Sequence, residues 1–229
     1  MMFSFILSPV AYGAMRALRN LTFTLALPVS VAGAAYAEPV TVLALGDSLT
    51  AGYGLPEAEG LVPQLNQWLA EQGAEVTVLN GGVSGDTSAG GLSRLAWSLT
   101  PEVDALIVTL GGNDLLRGLQ PRLTRSNIEA ILTEAQARQL PVMLVGMVAP
   151  GNFGPEYKAA FDQLYPDLAT QYGAQLIDSF FGLIDPDATD PGQISQYMQA
   201  DGLHPNAAGV KKAVDSLGPQ ILTLVDTLD

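Results

Sequence analysis

Five short apolar runs recur along the chain with amphipathic stretches between them, and this alternation limits the fold more than any other feature. Val40–Leu45, Val76–Leu79, Ala105–Leu110 and Val142–Met147 are strongly apolar and of strand length, and Gln175–Ile177 is a shorter, weaker fifth. Unbroken apolar runs mark strands covered on both faces, since a sheet wetted on one face would alternate polar with apolar. Helical stretches fall near Leu61–Glu71, Ala89–Ser98, Arg125–Gln139, Glu156–Tyr172 and Ala207–Leu228. Strand and helix in turn predict an α/β fold, a five-stranded parallel sheet with right-handed crossovers and helices on both faces. No repeat, low-complexity tract or interdomain linker interrupts the pattern.

The pattern begins only after residue 37. Arg16 and Arg19 precede an apolar run from Leu21 to Ala34, and Ala35-Tyr36-Ala37 is a small-residue cleavage signal. We therefore expect residues 1–37 to be a signal peptide cut after Ala37, with 38–229 as a single domain starting at Glu38 and no stable membrane anchor once the signal is gone. The run is short for a span and is interrupted by Pro28 and Gly33. The stretch before Arg16 is long for a signal, which makes Met15 an alternative start. The expected location is the periplasm or outside the cell.

The whole chain carries a formal net charge of −13, and removing Arg16 and Arg19 leaves −15 on residues 38–229. Such a surface repels nucleic acid and anionic lipid at long range, so neither is an expected partner. With no cysteine there is no disulfide and no thiolate nucleophile, and with one histidine a catalytic zinc site lacks its imidazoles. We expect neither metal nor cofactor, and a monomer.

In parallel sheets, functional groups gather in loops at the carboxyl ends of the strands. GDSLT follows the first run, NGGVSGDTS the second and GGND the third, while DGLHP precedes the last helix. All four polar, glycine-rich segments therefore fall on one rim. They hold a serine, Ser48, and the only histidine, His204. A serine hydroxyl is a poor nucleophile until a base takes its proton, and imidazole suits that task at neutral pH. Asp201, three residues before His204, can orient the ring. The order serine, acid, base is that of α/β hydrolases, yet their GxSxG elbow is absent. Gly85 can offer an unshielded backbone N–H and Asn113 a side-chain amide to a developing oxyanion. Each residue also has an ordinary reading: Ser48 or Asn113 as a helix cap, Gly85 as a turn glycine, His204 as a surface or core residue. Asp47, Asp86 and Asp114 read as acceptors that brace the loops. Leu115, Leu116 and Phe153 either line an apolar acyl trough or pack the loops down.

The four segments resemble the blocks of the GDSL, or SGNH, hydrolase superfamily over essentially all of residues 38–229. SGDTS, GGNDLLRG and DGLHPN are similar to its exported arylesterase, lysophospholipase and acyl-CoA thioesterase I group. The resemblance implies a three-layer α/β/α, flavodoxin-like fold. It further implies Ser48, Asp201 and His204 as catalytic residues and the backbone of Ser48 and Gly85 with the Asn113 amide as oxyanion hole. The expected activity is an exported serine esterase of broad acyl specificity, acting through an acyl-enzyme on small esters, lysophospholipids or thioesters. A carbohydrate O-deacetylase of the same superfamily stays open, although the residues after GGND are leucines. So does a flavodoxin-like binding module with GDSLT as a phosphate cradle, which leaves Asn113 and DGLHP without a purpose.

Overall fold

Strands β1 (Val40–Gly46), β2 (Val76–Gly82), β3 (Ala105–Thr109), β4 (Val142–Val145) and β5 (Gln175–Ile177) form one all-parallel sheet in the order β2-β1-β3-β4-β5. The computed structural model describes residues 39–187 and 191–228, so the expected signal segment lies outside the described residues. The inner strands are those whose apolar runs are buried throughout or nearly so: all five residues of β3, all four of β4, and Val42–Gly46 of β1. Seven α-helices are described: α1 (Ser48–Ala51), α2 (Leu61–Glu71), α3 (Ser88–Ser98), α4 (Gly112–Leu116), α5 (Pro121–Ala137), α6 (Pro155–Tyr172) and α7 (Ala207–Val225). Helix α2 packs on α7, while α5 packs on both α3 and α6. With the sheet they make the three-layer α/β/α sandwich. Among the described residues, no helix is long and apolar enough to cross a membrane.

One strand departs from the expected burial. The apolar run Val76–Leu79 is an edge strand and buries only Val78, while Leu79 is exposed. Its outer backbone is partly closed by Asn66 of α2, whose amide donates to the Val78 carbonyl at 2.9 Å and accepts the Val78 N–H at 2.7 Å. One side chain thus takes the place of a neighbouring strand's peptide group at Val78 and interrupts the template for pairing that an open edge offers. Strand β2 also runs three residues further than expected: Asn80, Gly81 and Gly82 pair with Ala44, Leu45 and Gly46. The first three residues of NGGVSGDTS are therefore strand.

The helix ends differ for local reasons. Helix α5 starts at Pro121, four residues before Arg125, because proline suits the first helical position and the buried residue of that turn is polar Thr124. It stops short of Gln139, which adopts a left-handed φ of 59°. A 3-10 turn, Asp226–Leu228, completes the stretch expected as the end of α7.

From β1 the chain moves outward to β2 and then crosses back to β3 on the other side. The carboxyl ends of β1 and β3 therefore flank the point where the strand order reverses, with Gly46 in register with Thr109. Crevices open at such switch points, because the connections leave in opposite directions. Buried Tyr165 of α6 fixes the floor there, donating its hydroxyl to the Leu110 carbonyl at 3.0 Å.

Candidate active site

Helix α1 is a single turn that begins directly beyond β1. Its N-cap is Asp47, whose Oδ1 accepts the Leu49 N–H at 3.0 Å, and its left-handed C-cap is Gly52. Ser48 is the first helical residue, so its own N–H has no partner within the helix. Its hydroxyl is not spent on capping, and Oγ lies 2.8 Å from His204 Nε2.

His204 is held from its other side. Nδ1 lies 2.6 Å from Asp201 Oδ2, while Asp201 Oδ1 accepts the backbone N–H groups of Leu203 (2.9 Å) and His204 (3.1 Å). The hydrogen bond from the His204 ring, helped by these N–H groups, lowers the Asp201 carboxyl from 3.8 to about 2. An ionised carboxylate only accepts, so Nδ1 carries the proton and Nε2 presents a lone pair to the Ser48 hydroxyl. Serine, histidine and aspartate thus form one hydrogen-bonded line across 156 residues of sequence.

Asn113 stands in the first turn of α4, whose N-cap is Gly111, so it is not a cap. Its Nδ2 donates to Asp47 Oδ2 at 3.2 Å, keeping the amide at the switch point beside Ser48. Burial raises the Asp47 carboxyl from 3.8 to about 6, against the opposing Leu49 N–H and Asn113 amide. Gly85 has a φ of 85°, a conformation that favours glycine. Its carbonyl accepts from Arg117 Nη2 at 2.7 Å, and its N–H donates to no acceptor among the described residues.

The other acidic neighbours brace the loops. Asp86 pairs with Arg94 at 2.7 Å, and Arg94 Nη2 donates to the Gly46 carbonyl at 2.8 Å, tying the SGDTS loop to the end of β1. Asp114 is buried and accepts from the backbone and hydroxyl of Ser88 and from Thr124. Arg94 lies outside every block and carried no signal, and Arg117, although inside GGNDLLRG, had no partner that the sequence could name.

Ser48, His204 and Asn113 open into an apolar cleft of about 200 Å³. Leu115, Leu116 and Phe153 all line it, but unequally: Leu115 is 8% exposed, while Leu116 is 59% and Phe153 44% exposed. Leu115 therefore packs as well as lines. Met147, Phe181 and Leu203 complete the walls. Of these, only Leu203 lay within a recognisable motif; Met147 and Phe181 are separated from the motifs in sequence and carried no signal.

The GDSL-like Lipase/Acylhydrolase family matches residues 44–212. Among curated proteins, Esterase TesA of Pseudomonas aeruginosa is 38% identical over 186 residues, covering 81% of this chain and 89% of that protein. Thioesterase 1/protease 1/lysophospholipase L1 of Escherichia coli is 35% identical over 188 residues, covering 81% and 85%. Among solved structures, AlinE4, described as an SGNH-hydrolase family esterase, is 39% identical with a TM-score of 0.65, covering 82% of this chain and 97% of that one.

Proposed function

The chain belongs to the GDSL-like lipase/acylhydrolase family and is a serine hydrolase of esterase type, and from that premise we propose that it is an exported enzyme of broad acyl specificity working through an acyl-enzyme on Ser48. The observation that carries the mechanism is the line from Ser48 Oγ through His204 to Asp201. Ser48 Oγ attacks the carbonyl carbon as its proton passes to His204 Nε2. The oxyanion that forms is held by the N–H groups of Ser48 and Gly85 and by Asn113 Nδ2. His204 returns the proton to the leaving oxygen or sulfur, leaving the acyl group on Ser48. Water, deprotonated by the same nitrogen, then releases the acid, while Asp201 stabilises the imidazolium in both halves.

An apolar cleft supports acyl chains as the recognised group. A volume below the roughly 300–1,000 Å³ of drug-sized sites suits one chain rather than a whole lipid. A sugar acetate would call for polar walls where this cleft offers Leu115, Leu116 and Phe153. Membership of a hydrolase family sets aside the non-catalytic binding module. Export rests on Arg16, Arg19, the apolar run and Ala35-Tyr36-Ala37; a secreted product whose first residue is not Glu38 counts against cleavage after Ala37.

The deciding experiment is hydrolysis of p-nitrophenyl esters of graded chain length beside lysophosphatidylcholine and a thioester, repeated with Ser48→Ala and His204→Ala. Each variant should lose several orders of magnitude in turnover, and the double variant little more, because the two residues act as a unit. Either single variant keeping more than about a tenth of the activity sinks the mechanism.

A further inference from the structure

Gln199 lies in the loop before Asp201, and its side-chain nitrogen carries two hydrogens. One is donated to the Tyr53 carbonyl at 2.8 Å, on the segment that leaves Ser48, and the other to the Pro205 carbonyl at 2.9 Å, beside His204. Its backbone N–H donates to the His204 carbonyl at 2.8 Å. Tyr53 is tied to the nucleophile in turn, donating its N–H to the Ser48 carbonyl at 3.1 Å, and its ring lies against the His204 imidazole with centroids 4.6 Å apart. Gly54, at a φ of 77°, leaves the amide its space, since a Cβ there would strike Gln199 Oε1.

The segments bearing Ser48 and His204 are thus joined by hydrogen bonds in two ways: by their own bond, and by the Gln199 amide. The first link is consumed in turnover, when Ser48 gives up its proton and its oxygen becomes an ester. The second takes no part in the chemistry and persists. We propose that Gln199 is a positioning residue that holds the His204 loop against the Ser48 segment, with the Tyr53 ring as a backing for the imidazole, so that the base keeps its place after Ser48 is acylated. This rests on the acyl-enzyme reading above. Deacylation depends on the second link most, because during acylation the Ser48 hydroxyl still guides the ring.

The test uses Gln199→Ala and Gln199→Glu, the latter keeping the shape while setting a carboxylate against two carbonyl oxygens. The protein is made without a histidine tag, so that ring resonances report His204 alone, the chain having one histidine. Active sites are counted with a serine-directed phosphonate, which separates misfolded protein from slow protein. With p-nitrophenyl butyrate, kcat per titrated site should fall about 10–100-fold, the scale of a small misplacement, and KM should fall with it, so that kcat/KM, which reports acylation, changes much less. A burst of p-nitrophenolate should appear or grow as deacylation becomes slow, and the His204 resonances should shift and broaden. Tyr53→Ala should reproduce part of the defect and Tyr53→Phe, which keeps the ring, should recover it. These Tyr53 variants decide the matter if the Gln199 variants do not fold. Wild-type kcat per site, or a loss of kcat with burst and resonances unchanged, overturns the proposal. Ser48→Ala run in parallel separates the two failures: if it stays active, the acyl-enzyme reading has failed; if it is dead while the Gln199 and Tyr53 variants behave as wild type, only the positioning role has.

Discussion

Asn113 Nδ2 has two hydrogens and gives one to Asp47, which leaves the other for charge that develops on a substrate carbonyl. Because that charge is largest in the transition state, Asn113→Ala should lower kcat by about 10²–10³-fold with a smaller change in KM. A rise in KM with kcat intact would make the amide a ground-state contact instead. Asp47, which holds this amide, has a carboxyl raised by burial from 3.8 to about 6. Between about pH 4 and 6 the folded protein therefore keeps a proton that the unfolded chain has released, so stability falls as pH rises through that window. The loss amounts to about 3 kcal/mol by pH 7. Asp47→Asn cannot ionise, so its urea-unfolding free energy should fall less than wild type's between pH 4 and 7; parallel curves would refute the assignment. Asp201 acts oppositely, since its lowered carboxyl contributes stability above about pH 4 that is lost toward pH 2. Sequence made Ser48, Asn113, Asp201 and His204 legible because each sits in a polar block at a strand or helix end. It did not reveal the Asp47–Asn113 bond or the Gln199 amide, which join blocks far apart in the chain.

The cleft is built between elements: α4 supplies Leu115 and Leu116, and the 3-10 turn Gly151–Phe153 supplies Phe153. An acyl methylene buried there can contribute up to about 0.8 kcal/mol. Half that value over the four methylenes from acetyl to hexanoyl gives more than a tenfold preference, about 1.6 kcal/mol. We expect hexanoyl esters to be cleaved faster than acetyl esters below saturation and below micelle formation. Leu116→Ser and Phe153→Ser should flatten that profile with little change in the acetyl rate, and a wild-type preference for acetyl would reduce both residues to loop packing. Leu115 is the poorer probe, since it is also buried. Strands and long helices were readable at this scale from runs and periods. The single turns α1 and α4 were not, because four or five residues show no periodicity. Nor was the edge position of β2 legible, since Val76–Leu79 is as apolar as an inner strand and its cover, the Asn66 amide, comes from another element.

For the whole molecule, strand–helix alternation gave the parallel sandwich but not the strand order, which depends on the side to which each crossover turns. That order places GDSL and GGND on the two strands flanking the switch point, so the site follows from topology as much as from motif. Charge is the other property of the whole, with −15 over residues 38–229. Uncharged esters should not sense it, whereas an acyl-CoA thioester brings several phosphate charges toward a surface of the same sign. At about 0.01 M salt the field extends some 30 Å, and at 0.15 M about 8 Å. Raising salt between these values should therefore increase kcat/KM for an acyl-CoA several-fold, through faster encounter, while a neutral thioester with the same acyl group keeps its rate. Pairing the two substrates separates repulsion from any salt effect on folding or on the acyl cleft, which they share. Equal salt dependence for both would mean that the negative surface does not reach the mouth of the site, and that CoA esters are as accessible to it as small neutral ones.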